Sequence, residues 1–340
     1  MGQSPEADIV MSSRVRLARN LEGHKFLYQI PDNEKAEIEK YLHERVKDIS
    51  LPKPLHYFRL DKLDAIDRLL LVERHLVSKE HASGDGARGV FVSDDESISI
   101  MVNEEDHLRI QILHAGLQLE QTWLEINDLD SAIEERVNYA FSPKFGYLTC
   151  CPTNVGTGMR ASVMLHLPAL VMTKQIAKVF ESVAKIGLAV RGLFGEGTYA
   201  SGDFYQISNQ LTLGKSEIGI VENIGSVVPQ IVRYERTVRE TLVSQSRELL
   251  EDRVWRAYGL LENARVISSE ETLDLLSAVR LGVNLGMIDK LDTGRVNSLF
   301  ILTQPAHLQK LHNKKLDAAA RDKARADFTR EKLNANGARE

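Results

Sequence analysis

A loop rich in glycine and small hydroxyl residues is the part of this chain best suited to chemistry. Residues 149–162 read TCCPTNVGTGMRAS and follow a short apolar run. Gly156 and Gly158 allow backbone N–H groups to converge on a bound anion, and the guanidinium of Arg160 can join them. The loop therefore predicts the binding of a phosphate group.

Two nucleotide-binding motifs are alternative interpretations of such glycines. Residues 156–161, GTGMRA, fit the dinucleotide pattern G-x-G-x-x-[GA], and Glu181 follows at a suitable distance. That pattern requires its first glycine directly after a strand, whereas other residues intervene here. GKS at 214–216 resembles the end of a P-loop, but Asn209 stands where the first glycine of that motif belongs. The dinucleotide site stays open as the weaker alternative, and the P-loop is excluded.

Four further arginines occur at expected strand ends and loops. Arg14 and Arg16 are two residues apart, so both side chains would point to one face of an extended strand. Arg109 follows an acidic turn, and Arg191 precedes a glycine-rich turn. A single arginine is usually a solvated ion-pair partner. Five in such positions, with Arg160, predict a clamp that holds a triphosphate and neutralises charge on a transferring phosphoryl group.

Two glutamates and a cysteine complete the candidate site. Glu105 lies in the acidic turn 103–107, and Glu196 lies in the glycine-rich turn 192–202. Beside clustered arginines, we expect a lowered pKa that keeps a carboxylate ionised. Such a pair could orient a cationic acceptor and remove its proton. Cys151 could be a nucleophile, but no His–Asp arrangement near it supports that role, and a small buried residue is the simpler interpretation.

Five short stretches carry a family resemblance: SRVR at 13–16, NEEDHLR at 103–109, CPTNVGT at 151–157, RASV at 160–163, and RG with GE at 191–196. In this order they resemble the phosphagen (guanidino) kinase family. The resemblance implies an antiparallel sheet flanked by helices, Mg-ATP as phosphoryl donor and a guanidinium nitrogen as acceptor. It also assigns phosphate binding to the five arginines, guanidinium orientation and base duty to Glu105 and Glu196, and a substrate-proximal thiol to Cys151.

The elements that must position these residues indicate an α+β fold. Alternating patterns predict strands within 91–113 and at 145–150, 188–191 and 203–207, and a helix that begins near 162 or 173 and ends at 186. Helical patterns dominate after Ser216, which suits an N-cap. We predict a guanidino-kinase-like catalytic domain at 1–220, extending to about 255 at most, and a helical C-terminal domain at 221–340.

The two ends of the chain favour one branch of the family. Family members that act on small guanidines carry a helical domain before the Ser-x-Arg motif, whereas here that motif begins at Ser12. We therefore expect a site open to an arginine side chain of another protein. RDKARA at 321–326 resembles the R-D-x-x-R-A motif of bacterial protein-arginine kinases, whose C-terminal domain docks phosphoarginine. This assigns docking to Arg321, Asp322, Arg325 and Ala326; by spacing alone, the segment is a helix with internal ion pairs.

Composition limits the classes of function. The chain has 340 residues, 43% of them hydrophobic, and a formal net charge of −5, which argues against general nucleic-acid binding. It shows no apolar run long enough for a membrane span and no signal peptide, so we expect a cytoplasmic protein. The only cysteines are Cys150 and Cys151, which offer neither a disulfide framework nor metal-ligand spacing.

These features together predict an ATP-dependent protein-arginine kinase of the bacterial stress response and protein quality control. The resemblance implies as partners proteins with exposed arginines, the heat-shock repressor CtsR, the zinc-binding activator McsA and the ClpC–ClpP protease. Whether the chain forms a homo-oligomer stays open. The alternatives are a kinase of small guanidines, and a non-catalytic adaptor that binds phosphoarginine through the C-terminal motif alone.

Overall fold

A large antiparallel sheet forms the centre of the protein in the computed structural model, which describes residues 4–192 and 201–334. Its strands are β1 (Val10–Arg19), β2 (Leu55–Arg59), β3 (Gly89–Ser93), β4 (Ile98–Val102), β5 (Leu108–Ala115), β8 (Met159–His166), β9 (Leu188–Gly192) and β10 (Phe204–Asn209). Their order across the sheet is β2, β3, β4, β5, β1, β8, β10, β9. A separate hairpin pairs β6 (Phe141–Ser142) with β7 (Gly146–Tyr147).

Helices flank this sheet and follow it. Those that precede or cover the sheet are α1 (Asp32–Val46), α2 (Ala65–Glu73), α3 (Lys79–Ser83), α4 (Leu119–Glu134), α5 (Pro168–Met172), α6 (Ile176–Lys185) and α7 (Glu217–Gln245). The C-terminal helices are α8 (Arg247–Asn263), α9 (Ser269–Asn284), α10 (Thr293–Leu302), α11 (Pro305–Leu311) and α12 (Ala318–Asn334). The predicted α+β class and the helical C-terminal region are thereby confirmed. Within the described ranges, no helix is both long and apolar enough to cross a membrane.

The strand register separates an apolar face of the sheet from a polar one. Val15 on β1 pairs with Ile112 on β5 and Ala161 on β8, and all three are buried. Directly opposed residues of antiparallel strands share a face, and side chains alternate along each strand. The apolar face packs against α4 and α7 in one hydrophobic core. The intervening residues, Arg14 and Arg16 among them, must therefore point to the opposite face.

Two local predictions were wrong. The earlier of the two predicted helix starts, Ser162, lies in strand β8, whereas the later one, Thr173, lies close to the start of α6, which ends at Lys185, one residue before the predicted end. Met159, Ala161, Val163 and Leu165 alternate with Arg160, Ser162 and His166, so the strand pattern is present in the sequence. The strand predicted over 145–150 shrinks to the two residues of β7, because Gly146 has a positive φ of 78° and the chain then enters a loop. The strands predicted around 91–113, 188–191 and 203–207 are present.

Helix α7 belongs with the sheet, and the helices after it form a second core. Ile224, Val228 and Val232 of α7 pack in the core of the sheet. Ser216 caps this helix as predicted, since its Oγ accepts a hydrogen bond from the N–H of Gly219 at 3.1 Å. The second core gathers residues of α8, α9 and α10 around Leu276. We therefore propose that the domain boundary lies between α7 and α8, within the predicted range of 220 to about 255.

A buried arginine joins the C-terminal helices to the sheet. Arg280 of α9 is fully buried and donates to the backbone oxygens of Ala7 and Asp8 at 2.6 and 2.9 Å. It also contacts Nδ1 of His166 at 2.8 Å and Oδ1 of Asn297 at 2.9 Å. Burial, together with Arg280 and Arg239, holds the pKa of His166 well below its ordinary value, so this imidazole is neutral. One side chain thus connects the N-terminus, β8, α9 and α10.

Candidate active site

All five arginines singled out in the sequence lie on the polar face of the sheet. Arg16 on β1 pairs directly with Arg160 on β8, and Ala18 pairs with Arg109 on β5. Arg191 on β9 pairs with Gln206 on β10, which pairs in turn with Met164 on β8. Met164 pairs with Ser12, two residues before Arg14, so these positions share one face. We call this set of arginines, at 14, 16, 109, 160 and 191, the arginine face.

Positive charge is crowded on the arginine face. Burial lowers the pKa of Arg14 to about 10, with Arg109 and Arg160 contributing by repulsion. The pKa of Arg16 is also well below its ordinary value, through burial and the charges of the same neighbours. Burial and repulsion from Arg191 and Arg109 lower the pKa of Arg160. These shifts show that the surroundings disfavour the charged form of Arg14, Arg16 and Arg160, and a bound anion would stabilise that form.

The described protein groups neutralise this face only in part. Of the five, Arg109 alone forms an ion pair within residues 4–192 and 201–334, with Glu104 at 2.8 Å. The Nε atoms of Arg16 and Arg160 are buried and have no hydrogen-bond partner there. A buried donor without an acceptor is costly, especially on a charged group. The arrangement suits a polyanion, whose oxygens would supply the missing acceptors and charge.

The acidic turn between β4 and β5 borders the arginine face. Asn103 has a positive φ of 61° and donates to the backbone oxygens of Lys35 and Ala87, which fixes the turn. Asp106 accepts hydrogen bonds from Nδ2 of Asn20 and from the N–H of Cys150, both at 2.6 Å. These two bonds attach the turn to β1 and to the loop that carries Cys151.

The two neighbouring glutamates of this turn differ in state. Burial would raise the pKa of Glu104, but Arg109 and a hydrogen bond from Ser78 lower it below the ordinary value. The pKa of Glu105 is raised, by partial burial first and then by Asp106 and Glu104. The lowered pKa expected for Glu105 is therefore wrong, because its nearest charged neighbours are carboxylates. A raised pKa makes Glu105 the better proton acceptor.

The raised pKa of Glu105 predicts the pH dependence of any reaction that uses it as a base. Only the ionised carboxylate can accept a proton, so the rate should fall as pH decreases through the raised pKa. We expect the acidic limb of kcat/KM, followed by ADP release, to have its midpoint above the ordinary glutamate pKa of about 4.3. A midpoint at or below that value would contradict the assignment.

Cys151 lies between the arginine face and the acidic turn. It is half-buried at the start of a single helical turn, Pro152–Asn154, with its Sγ 3.0 Å from Oγ1 of Thr153. Its side chain lies close enough to Arg160 to act on the pKa of that guanidinium. The thiol of the adjacent Cys150 has a pKa raised to about 11 by burial, Asp106 and Glu105. The loop therefore places Cys150 near the carboxylates of the acidic turn and Cys151 near Arg160.

The glycines of this loop allow close backbone packing. A Cβ on Gly156 would lie 2.7 Å from the backbone oxygen of Thr212, and one on Gly158 would lie 2.6 Å from that of Ala18. Both residues also have positive φ, at 114° and 64°. Arg19 fixes the loop by donating to the oxygen of Thr157 at 3.0 Å. These contacts explain why the two positions are glycine, and anion binding by the loop stays a prediction.

The sequence did not single out two side chains that contact the arginine face, and one predicted residue lies outside the structure described. Gln206 accepts a hydrogen bond from Nη2 of Arg14 at 2.7 Å, and Glu104 holds Arg109. Glu104 stands beside a predicted residue and could have been found from its place in the acidic turn. Gln206 gives no such signal, because only strand pairing brings it to Arg14. Glu196 lies outside the described residues.

The C-terminal motif lies on α12, and its four residues differ in exposure. Arg325 is 1% exposed, as is Ala326. The Arg325 side chain donates to the backbone oxygens of Thr303 and Ile267, both at 2.9 Å, and to Oδ1 of Asp322 at 2.6 Å. Arg321 and Asp322 are only half-buried. Within the motif, Arg325 and Ala326 therefore hold the helix in place, and Arg321 and Asp322 are the groups that a ligand could reach.

Family models match both parts of the chain. Residues 37–238 match the ATP:guanido phosphotransferase C-terminal catalytic domain, and residues 247–340 match the protein-arginine kinase McsB C-terminal domain. Among solved structures, a duplicated taurocyamine kinase from Schistosoma mansoni with bound transition-state analogue components has a TM-score of 0.63 and 30% identity, over 69% of this chain and 34% of that one. The chain thus spans about a third of that duplicated enzyme. A lombricine kinase has a TM-score of 0.63 and 26% identity, over 71% and 70% of the two chains.

Curated relatives match over nearly their whole length. The protein-arginine kinase of Halothermothrix orenii is 48% identical over 98% of this chain and 95% of its own. That of a Geobacillus species is 48% identical over 97% of this chain and 92% of its own. The arginine face, the acidic turn and the C-terminal helices all lie within these matches. The chain therefore belongs to the ATP:guanido phosphotransferase family and, within it, to the protein-arginine kinases.

Proposed function

We propose that this protein is an ATP-dependent kinase that transfers the γ-phosphoryl group to arginine side chains of proteins. The observation that carries the proposal is the arginine face, whose excess positive charge meets a carboxylate of raised pKa, Glu105, at its edge. The first feature suits a triphosphate, and the second suits a cationic acceptor that must lose a proton.

The acceptor explains why a base is needed. A guanidinium has a pKa above about 12, so its nitrogens are poor nucleophiles until a proton leaves. Glu105 accepts that proton while it holds the planar group by hydrogen bonds. Glu196, the second carboxylate implied by the family resemblance, is proposed to share this duty. Cys151 would contact the acceptor from the neighbouring loop.

The arginine face explains the donor side of the reaction. Phosphoryl transfer depends mostly on positioning and on stabilising charge around the moving group. Arg14 and Arg16 lie on β1, and Arg109 and Arg160 lie on its two neighbours, β5 and β8. Arg191 lies on the edge strand β9 of the same sheet. Strands hold such groups more rigidly than loops do. The five guanidinium groups therefore bind the phosphates in a fixed arrangement.

Mg²⁺ is proposed to enter with the ATP. This ion prefers oxygen ligands, keeps several waters and usually needs only one or two carboxylates besides the substrate phosphates. The described residues contain no cluster of His, Cys, Asp and Glu that could hold a metal ion, so phosphate oxygens and water would supply its ligands. When bound, the ion neutralises charge on the phosphate oxygens.

The function is tested by the nature of the phosphorylated atom. The protein is incubated with ATP and one of three substrates. The first is an unfolded arginine-rich protein, the second is the same protein with arginine replaced by lysine, and the third is free arginine. We expect acid-labile phosphate on arginine side chains of the first substrate alone, mapped by mass spectrometry at neutral pH. Preferential turnover of free arginine would instead favour a kinase of small guanidines.

The C-terminal motif is proposed to dock phosphoarginine through Arg321 and Asp322. Replacing Asp322 with alanine should weaken phosphoarginine binding by roughly tenfold, because a charge-assisted hydrogen bond to the guanidinium is lost. Calorimetric titration measures this, and Asp327→Ala on the same helix is the matched control. Equal affinity of Asp322→Ala and the control would contradict docking at this motif. If phosphoarginine bound while no phosphoryl transfer occurred, the protein would be an adaptor.

The wider biological setting is also a proposal. Protein substrates follow from the proposed activity itself. A cytoplasmic role in the stress response, with CtsR as substrate, McsA as activator and ClpC–ClpP as downstream protease, is supported by the resemblance to bacterial protein-arginine kinases.

A further inference from the structure

A short segment lies between the C-terminal helices and the acidic turn. Residues 73–78, which we call the bridging segment, join the end of α2 to the start of α3. On one side the segment contacts α11, and on the other it contacts residues next to the candidate catalytic groups.

The C-terminal side of the bridging segment is held by Glu73. Its carboxylate accepts hydrogen bonds from the N–H groups of Ala306 at 2.7 Å and His307 at 3.1 Å. It also contacts Nδ1 of His307 at 2.8 Å, with side-chain exposures of 9% and 4% for the glutamate and the histidine. Nε of Arg74 donates to Nε2 of the same imidazole at 3.2 Å. The start of α11 is therefore fixed against the bridging segment by buried polar contacts.

The catalytic side of the bridging segment ends at Ser78. Its Oγ donates to Oε1 of Glu104 at 2.6 Å, and that same oxygen pairs with Nη1 of Arg109 at 2.8 Å. The other carboxylate oxygen, Oε2, accepts from the N–H of Glu105 at 2.8 Å. Glu104 thus holds a phosphate-clamp arginine with one oxygen and the backbone of the proposed base with the other. Ser78 restricts where this carboxylate can lie.

A second contact of the bridging segment reaches the arginine face. The backbone oxygen of His75 accepts from Nε2 of Gln111 at 2.8 Å, and Gln111 pairs with Arg16 across the sheet. Burial, and then the positive charge of Arg14, lower the pKa of His75 to about 4, so the imidazole lies near the arginine face. His75 also has a positive φ of 60°, so the backbone is held in an unusual conformation at this point.

We propose that Ser78 is a positioning residue for Glu104, and through it for Arg109 and Glu105, and that the C-terminal domain sets its position through Glu73 and His307. The helical domain thereby becomes part of the catalytic apparatus although it contributes no group to the reaction. This inference rests on the proposed roles of Glu105 and Arg109. In this proposal, the bridging segment couples the two domains.

Substitutions at Ser78 separate positioning from its structural role. Ser78 also caps α3, since its Oγ accepts from the N–H of His81 at 3.0 Å. Aspartate is an equally good cap but cannot donate to Glu104, whereas threonine keeps both functions. We expect Ser78→Asp to lose roughly tenfold in kcat/KM for protein phosphorylation, because its carboxylate repels that of Glu104 instead of donating to it. Ser78→Thr should recover most of that loss.

The outcomes separate this inference from the proposed function. If wild-type protein phosphorylates arginine and Ser78→Asp is as active as Ser78→Thr, Ser78 is only a helix cap and the inference fails. If wild-type protein phosphorylates no arginine, the proposed function itself fails. Loss of activity in Ser78→Asp with full activity in Ser78→Thr supports positioning.

A double-mutant cycle tests the link to the C-terminal domain. Glu73→Gln weakens the contact with His307 and is combined with Ser78→Asp in the full-length protein. If Glu73 acts through Ser78, the double variant should lose little more activity than Ser78→Asp alone, because interacting sites are not additive. Independent effects, multiplying to the product of the two single losses, would overturn the coupling. Wild-type activity of Glu73→Gln would overturn it as well.

Discussion

Replacing Glu105 with glutamine should lower kcat for protein phosphorylation by roughly 10²- to 10⁴-fold, because the amide cannot accept a proton. The side chain is of similar size and lies in an exposed part of the acidic turn, so the fold should survive. ATP binding should change little, since the arginine face stays intact. Steady-state ADP release and calorimetric titration with ATP measure the two quantities.

A control distinguishes loss of the base from loss of any surface carboxylate. Glu120 lies exposed near the start of α4, and Glu120→Gln should retain wild-type kcat. Retained phosphorylation in Glu105→Gln would refute the base assignment. Loss of ATP affinity equal to the loss of kcat would place Glu105 in substrate binding instead.

Replacing Arg160 with methionine should change activity and stability in opposite directions. The rate should fall by roughly 10³-fold, since an arginine that stabilises the transferring phosphoryl group has effects of that order. In the ATP-free protein, however, Arg160 is repelled by Arg191 and Arg109, and its Nε is buried without a partner. Methionine fills similar space without these costs, so the unfolding temperature of the ATP-free variant should rise.

The opposite signs make this prediction easy to contradict. Differential scanning calorimetry without ATP, at low salt, gives the stability, and steady-state kinetics give the rate. Arg256 of α8 has a side chain 75% exposed, and Arg256→Met is the matched control that should change neither quantity. A variant that is both less active and less stable than the control would show that Arg160 serves mainly to maintain the fold.

Residue types and spacing predicted most of the site, because its motifs are local in sequence. Arg14 and Arg16 lie two apart on one strand, and the acidic turn has its glutamates adjacent. Strand pairing brings these motifs together, and a single sequence contains no local pattern that shows which strands pair. The pairing of Arg16 with Arg160 could not be foreseen without knowing that β8 is a strand.

The remaining errors have separate causes. The earlier predicted helix start, Ser162, overlooked the alternation of apolar and polar residues over 159–166, which identifies β8 as a strand. The direction of the Glu105 pKa shift was mistaken because partial burial, Asp106 and Glu104 raise this pKa and outweigh the lowering by Arg109. Phosphoarginine docking by Arg325 stays a prediction; in this structure the backbone oxygens of Thr303 and Ile267 accept from its guanidinium. Both the pKa of Glu105 and the contacts of Arg325 depend on which groups the fold brings near.

The contacts of Arg280 imply that the two domains unfold cooperatively. Removing the C-terminal helices would expose the carbonyl groups of Ala7 and Asp8, which now accept from that guanidinium, and would leave His166 without Arg280 and Ser277 as partners. Buried polar groups deprived of their partners destabilise what is left. The sheet and the helical domain therefore share one free energy of unfolding. A protein that contained one of these domains without the other would need other groups to replace these contacts.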